Sequence, residues 1–412
     1  MTIGTTASNV LWALRAGGLF DGERVLGPGM VLVEDGKIKD VDTSGAAPPE
    51  GAVVRDLGAS SWLLPGLIDT HVHLGFDATN QAAANLMAAD DSIVLDNMRA
   101  AAGKALRAGI TTVRDLGDRN YLSLAVRRQG ADCPQDGPHV VAAGPPITTP
   151  AGHCHFLGGE TTGSPQALRA AVRDRYERGS DVVKVMASGG VMTAGSSPHQ
   201  QQYGLGQLRV VVEEAHRFGL QTVAHVHGPD SIAAALEAGF DTLEHVTFMT
   251  AGGVDADPYL VERIAASGVF VGTTVGALPS GQPLSAAADV RRSVINQARS
   301  ALHAAGARLT AGTDAGIASD KPHDVLPYGI AQLAGPIGLT PLEALRAATS
   351  TAAHACGLER SKGRLLPGWD ADLLAVHADP TTDPTALRRV QAVYRAGHPV
   401  ALPHTPGEAG LR

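Results

Sequence analysis

Cysteine is scarce in this 412-residue chain: Cys133, Cys154 and Cys356 are odd in number and widely spaced. Three scattered thiols exclude a disulfide framework and a Cys-x-x-Cys zinc site. There is no long basic run, and the formal net charge is -8. Neither nucleic acid nor an anionic membrane is therefore the expected partner. No apolar run reaches about 18 residues, so no spanning helix is expected. Met1–Arg15 has no basic stretch ahead of an apolar core and no clear cleavage site. The expectation is no signal peptide and a cytoplasmic compartment. Low-complexity segments are absent too. What remains is ordinary globular composition, 44% hydrophobic and 18% charged. The length suits two or three domains, or one large barrel with an addition.

The stretch Leu67-Ile68-Asp69-Thr70-His71-Val72-His73-Leu74 reads as a short apolar strand. Pro65-Gly66 stops whatever precedes it. Successive strand side chains point to opposite faces, so His71 and His73 point the same way. Two imidazoles on one face at a strand end are a natural pair of metal ligands. Two hydrogen-bonded histidines in a polar cleft would give the same short pattern.

Residues from about Val10 to Leu64 look β-rich. Glu34-Asp35-Gly36-Lys37 between apolar runs is a hairpin signal, and Asp21-Gly22 offers another turn. After His73, short apolar strands alternate with helical stretches. The strands are Thr111–Leu116, Val140–Ala143, Val182–Ala187, Thr222–His227, Thr242–Val246, Val269–Thr274 and Leu309–Thr313. The helical stretches include Ser92–Ala108, Gln166–Glu177, Gly206–Phe218, Ser231–Ala238, Pro258–Ala266, Ala286–Ala305 and Pro341–Ala353. Gly109, Gly179, Gly219, Gly239, Gly268 and Gly306 mark helix ends. With the opening strand this makes an α/β protein, a (β/α)8 TIM-like barrel over residues 62–364. From about Gly363 the chain returns to β. Residues 1–61 and 365–412 are expected to form one small composite β-sandwich domain, ending in a loose tail from Pro403.

Barrel catalysis sits at the C-terminal ends of the strands. Those ends carry His71 and His73, then Lys184, then His225 and His227, then His245, then Asp314. Lys184 lies among apolar neighbours, where a charge is costly. It could snorkel to solvent or pair with an acid. Alternatively burial lowers its pKa, and the neutral amine adds carbon dioxide to become an anionic carbamate.

Over essentially its whole length the chain resembles the metal-dependent amidohydrolase superfamily. The resemblance rests on Pro65–His73, Lys184, His225, Glu244-His245 and Gly312-Thr313-Asp314-Ala315-Gly316. Leu19-Phe20-Asp21-Gly22 and Leu366–Leu373 frame these motifs. It is most similar to the imidazolonepropionase-related branch, which includes Xaa-Pro dipeptidases and metal-dependent carboxypeptidases. The branch cues are Val183–Gly190, His225-Val226-His227-Gly228 and Glu244–Met249.

The resemblance implies a peptidase-like hydrolase that cleaves a carbon–nitrogen amide bond with a metal-bridging hydroxide. Its substrate would be a small molecule, an N-acyl amino acid or a dipeptide, and the enzyme a homo-oligomer. His71, His73 and Asp314 would hold a buried metal, His225 and His245 a more exposed one. Carboxylated Lys184 would bridge the two divalent ions. Imidazole and carboxylate ligands suit Zn2+ best, while manganese, cobalt or iron would also fit. Asp314 would be the catalytic proton acceptor. Alternation leaves His227 open as the ligand in place of His225; the family position matches His225, and His227 would line the pocket.

Loops beyond the strands add substrate-contact candidates. His153 follows a glycine on a polar loop and could equally be a surface histidine. Tyr203 ends the glycine-rich segment Gly189–Gly204, which reads as a mobile lid; it could bond substrate or simply pack. His323 could touch substrate or be solvated. The alternative enzymes are a cyclic amide or lactone hydrolase, or a deaminase. Lys184 argues against the deaminase branch, whose members often use one metal without a bridging lysine. A scaffold without catalysis is the non-enzyme alternative, but its relatives lose ligands that are all present here.

Overall fold

The computed structural model describes residues 10–279 and 285–403. The expected tail beyond Pro403 lies outside them, as do the first nine residues of the stretch read for a signal peptide.

Eight parallel strands carry the ring: Leu67–Val72, Ile110–Asp115, His139–Ala142, Val182–Met186, Gln221–Val226, Thr242–His245, Phe270–Gly272 and Arg308–Thr310. Most of their residues are buried on both faces, the mark of a parallel sheet covered by helices. The ladder does not run unbroken. The first three strands form one arc and the last five another. At one seam Thr70 N–H donates to Ala311 O at 3.1 Å and His73 N–H to Ala315 O at 2.9 Å. At the other, Asp181 N–H donates to Ala142 O and Ile147 N–H to Lys184 O, both at 2.8 Å. The fold is thus α/β and TIM-barrel-like, with hydrogen-bonded seams in place of one continuous ladder.

The helices follow from local chemistry. In Pro165–Arg178, Ser164 Oγ accepts from Ala167 N–H and proline opens the first turn. Leu168 and Val172 form its buried stripe, and Gly179 ends it at φ 87°. All six glycines read as stops take positive φ, between 72° and 88°. Some elements differ from expectation. Leu122–Asp132 is a helix the sequence does not announce, because it buries only Ser123, Val126 and Gly130. The expected helix Pro341–Ala353 is two, Pro341–Ala347 and Ser350–Ala355. Between them the Thr349 hydroxyl donates to Leu345 O at 2.7 Å, competing with the helical ladder.

Beside the ring lies an eight-stranded sheet. Its order runs His398–Pro399, Val390–Arg395, Leu373–Val376, Trp62–Pro65, Trp12–Phe20, Val25–Glu34 and Lys37–Asp42, with Val53–Asp56 pairing on Trp12–Phe20. Asp35 and Gly36 turn the expected hairpin with φ of 50° and 74°. Leu373–Val376 runs antiparallel to Trp62–Pro65, so the two ends of the chain share one sheet. All eight strands are hydrogen-bonded into that sheet; the two separate sheets of the expected sandwich are not seen among the described residues. Leu14, Val31, Leu63 and Leu373 pack into its own core. Among the described residues no helix is long and apolar enough to cross a membrane.

Candidate metal centre

His71 and His73 turn to one face, as strand alternation requires. Their Nε2 atoms lie 3.3 Å apart. Asp314 Oδ1 sits 3.5 Å from His71 Nε2 and 3.3 Å from His73 Nε2. The far nitrogens are committed. His71 Nδ1–H donates to Glu244 Oε2 at 2.8 Å and His73 Nδ1–H to Gly117 O at 3.1 Å. Both partners accept only, which fixes the tautomers and leaves each Nε2 with a lone pair. Three electron-pair donors therefore face one another. Such an arrangement needs a shared proton or a cation between the donors, and this donor set suits a divalent metal.

Asp314 lies just past the eighth strand at φ 61°, with its N–H donating to His71 O at 2.7 Å. Burial alone would raise its pKa. His71, His73 and Lys321 outweigh that and hold the carboxyl far below its usual range. Burial likewise lowers His73, but Asp314 and Asp115 outweigh it and raise the imidazole.

A second cluster joins His225, His227 and His245, with ligand atoms all within 4.8 Å of one another. His225 Nε2–H donates to Gly189 O at 3.0 Å, which leaves Nδ1 with the lone pair. His227 Nδ1 meets Thr247 Oγ1 at 2.8 Å, and His245 Nδ1 meets Thr274 Oγ1 at 3.1 Å. Burial drives all three imidazoles well down, so they stay neutral at pH 7. The His71 and His245 rings, 5.1 Å apart, bring the two clusters together.

Lys184 is 1% exposed, and its Nζ has no hydrogen-bond partner. It neither snorkels nor makes a close ion pair. Burial pushes the amine down to about 8, although Glu244 and Asp314 pull it back up. An orphaned amine, brought by burial within reach of deprotonation beside two donor clusters, fits the carbamate its strand position implies.

The substrate-contact candidates separate. His153 stands beside His225, ring centroids 4.7 Å apart, and its buried Nδ1 is unpartnered. Burial lowers its pKa to about 4, so the ring is neutral. Tyr203 is a core residue whose hydroxyl donates to Thr161 O at 3.3 Å. His323 is buried rather than solvated, and donates Nε2–H to the His73 carbonyl at 3.1 Å. The segment Gly189–Gly204 is pinned at its base: Gly189 N–H reaches Gln200 O and Gln202 N–H reaches Ala187 O, both at 2.8 Å. Its outer turn is held too, Cys154 N–H donating to Thr193 Oγ1 at 2.9 Å, although Val191 is 80% exposed.

Several site groups escape sequence reasoning. Asp69 accepts from Thr313 N–H at 3.0 Å and Thr313 Oγ1–H at 2.7 Å, tying the first strand to the eighth. Glu244 bridges His71 and the fully buried Arg114, whose Nη2 lies 3.0 Å from Oε1. A Cβ on Gly272 would fall 1.8 Å from Glu244 Oε2, so glycine clears room for that carboxylate. Lys321 Nζ donates to Thr313 O at 2.6 Å and steadies the strand end before Asp314. Gln202 accepts the His153 N–H at 2.6 Å and donates to Met186 O at 2.7 Å. Only Asp69 and Glu244 carry a sequence signal, as acids flanking ligand positions.

A family model described as the amidohydrolase family matches residues 62–400. The ochratoxinase of Aspergillus niger is 31% identical over 373 residues, covering 80% of this chain and 73% of that protein. Its crystal structure superposes with a TM-score of 0.79 at 25% identity, covering 95% of each chain. An imidazolonepropionase from Salinispora tropica is 28% identical over 403 residues, 90% of this chain and 89% of that protein. The fold is also that of a Xaa-Pro dipeptidase with bound methionine in the active site. The TM-score there is 0.81 at 24% identity, covering 94% of this chain and 99% of that one.

Proposed function

The chain belongs to the amidohydrolase family and is a hydrolase acting on carbon–nitrogen bonds; from that premise we propose that it cleaves amide bonds with bound metal, in an N-acyl amino acid or a dipeptide. The observation that carries this reading is the convergence of His71 Nε2, His73 Nε2 and Asp314 Oδ1 within 3.3 to 3.5 Å, beside the unpartnered amine of Lys184. We assign His71, His73 and Asp314 to one divalent ion, and His225 and His245 to a second. Lys184, carboxylated, would lie between them. Zinc suits this mixture of imidazole and carboxylate. The catalytic unit we assign to residues 62–364.

Bound metal would lower the pKa of an attacking water and polarise the scissile carbonyl. The chain supplies the rest. Asp314, held ionised, accepts the water's proton and passes it to the departing amine. His153, neutral with a free Nδ1, can hydrogen-bond the acyl part of the substrate. Arg299 on the helix Ala286–Ala304 is half-buried, and its Nε has no partner. Its charge joins burial, His153 and Lys184 in lowering His227 to about 3. A carboxylate on the leaving group would answer that charge, as an amino-acid product requires.

Elemental analysis, followed by a screen of N-acyl amino acids, dipeptides, lactams and lactones, tests the reading. Two ions per chain and turnover of carboxylate-bearing amides support it. Turnover of lactams or lactones alone would replace it. The likeness to an imidazolonepropionase favours that cyclic-amide reading as the second choice.

A further inference from the structure

The strand ends opposite the metal-ligand clusters border a cavity of about 370 Å³. Its walls come from three places. Arg127 and Arg128 stand on the helix Leu122–Asp132, Arg178 ends the helix Pro165–Arg178, and Arg395 ends the sheet strand Val390–Arg395. His139, first residue of the third ring strand, completes the polar lining. No carboxylate lines it. Four guanidiniums around one cavity stand out in a chain of net charge -8.

The surrounding acids neutralise only part of this charge. Arg127 pairs with Asp181 at 2.6 Å and Arg178 with Asp174 at 3.0 Å. Arg395 reaches Asp372 at 3.2 Å, but Lys362 shares that carboxylate at 2.6 Å. Lys362 also meets Asp370, which Lys37 shares, so three cations divide two acids. Arg128 makes no ion pair among the described residues. Arg395 is 6% exposed, and its Nε has no hydrogen-bond partner although it lines the cavity. A buried guanidinium with an idle N–H is costly unless something accepts from it. His139 supports the same sense of charge. Burial, then Lys362 and Arg395, hold it down near 4, so it is a neutral donor or acceptor.

We infer that this cavity binds a compact oxyanion of the phosphate class, at a site separate from the hydrolytic centre. Guanidinium forks match phosphate oxygens in paired, charge-assisted hydrogen bonds. The volume lies at the small end of ligand pockets, which suits inorganic phosphate or a small phosphorylated metabolite. Because the walls join two ring helices to the sheet, occupancy would brace the sheet against the ring.

The test is calorimetric titration and thermal melting of the full metal-loaded protein with inorganic phosphate, against sodium chloride of equal ionic strength and against succinate. Arg128→Glu is the informative variant, because Arg128 is exposed and holds no structural ion pair. The expected result is a phosphate-dependent rise in melting temperature, and affinity at least about tenfold weaker in Arg128→Glu. Arg127→Gln should weaken it as well. Hydrolytic activity without phosphate should be unchanged in Arg128→Glu. No heat beyond the chloride control would overturn the inference. So would phosphate binding of undiminished strength in Arg128→Glu, which would place the anion elsewhere. Tighter binding of succinate than of phosphate would overturn the assigned class.

Discussion

His71 donates its Nδ1–H to Glu244 across the ring, from the first strand to the sixth, at 2.8 Å. Glu244 in turn accepts from Arg114 at 3.0 Å, and Arg114 Nε–H holds Thr70 O at 2.8 Å. The chain of bonds thus returns to the residue beside His71. Burial would raise Glu244, but His71, Arg114 and Lys184 outweigh it and keep it ionised. The ionised carboxylate points the His71 Nε2 lone pair at Asp314.

Glu244→Gln keeps this shape and removes the charge. Loss of such an outer partner typically weakens metal binding 10- to 100-fold. Arg114 would also lose its counter-charge in a dry setting, a change worth about 3–5 kcal/mol when a buried pair is broken. We expect weaker metal retention on dialysis and a lower melting temperature. Metal affinity within about twofold of the parent protein would show that His71 needs no such partner.

Lys184 ties activity to pH and to carbon dioxide. Its amine sits near 8, so the neutral, carbon dioxide-reactive form grows as pH rises through that value. Metal-free protein should therefore regain activity faster with zinc and bicarbonate at pH 8.5 than at pH 6.5. Lys184→Ala should lose metal and turnover, and short carboxylic acids should restore part of both. Lys184→Arg should not recover, since guanidinium stays cationic. Near-normal activity in either variant would remove the bridging role.

Asp314→Asn keeps an oxygen ligand but cannot take a proton. A general base is worth about 10²–10⁴-fold. We expect kcat to fall by at least that order, with weaker metal binding adding to the loss. A kcat within tenfold of the parent, at full metal content, would assign proton transfer elsewhere.

Arg299→Met tests leaving-group recognition. Guanidinium–carboxylate bonds are worth about 1.5–3 kcal/mol, so KM for carboxylate-bearing substrates should rise at least tenfold. Amidated analogues, which lack the carboxylate, should hardly respond. Equal effects on both would make Arg299 a structural residue.

The ring strands and the paired histidines are legible in the sequence because they follow period-two alternation and glycine stops, which are local rules. His71 with His73, and the glycine ends, stand where those rules put them. What was hidden depends on tertiary contacts. The strands end earlier than apolar runs suggest, and the chain leaves them through left-handed residues. His245, Val246, Thr274 and Asp314 have φ of 71°, 44°, 43° and 61°. For non-glycine residues such strain costs roughly 1 kcal/mol or more each, and it gathers at functional sites. Nothing in a one-dimensional pattern marks them. Tyr203 and His323, each left open by the sequence, are placed by contacts of the same tertiary kind. Their loops do approach the site, but backbone carbonyls of Thr161 and His73 claim their polar atoms. Arg114 lies in the apolar strand Ile110–Asp115, and only its tertiary pairing with Glu244 gives it a role.

The fifth strand leaves a choice that geometry sharpens. His225 and His227 both face His245, with ring centroids 4.5 Å away in each case. The difference lies behind the rings. His225 donates to the Gly189 carbonyl, which can only accept, so its Nδ1 is locked as a lone pair. His227 meets the Thr247 hydroxyl, which can accept or donate, so its tautomer is free to follow a substrate. A ligand profits from the first arrangement and a substrate contact from the second. We expect His225→Asn to retain about one metal ion per chain and to lose nearly all turnover. His227→Asn should keep both ions and act mainly through a higher KM. If His227→Asn loses an ion while His225→Asn keeps two, the exposed metal belongs to His227 and His245, and the Gly189 contact merely anchors a pocket wall.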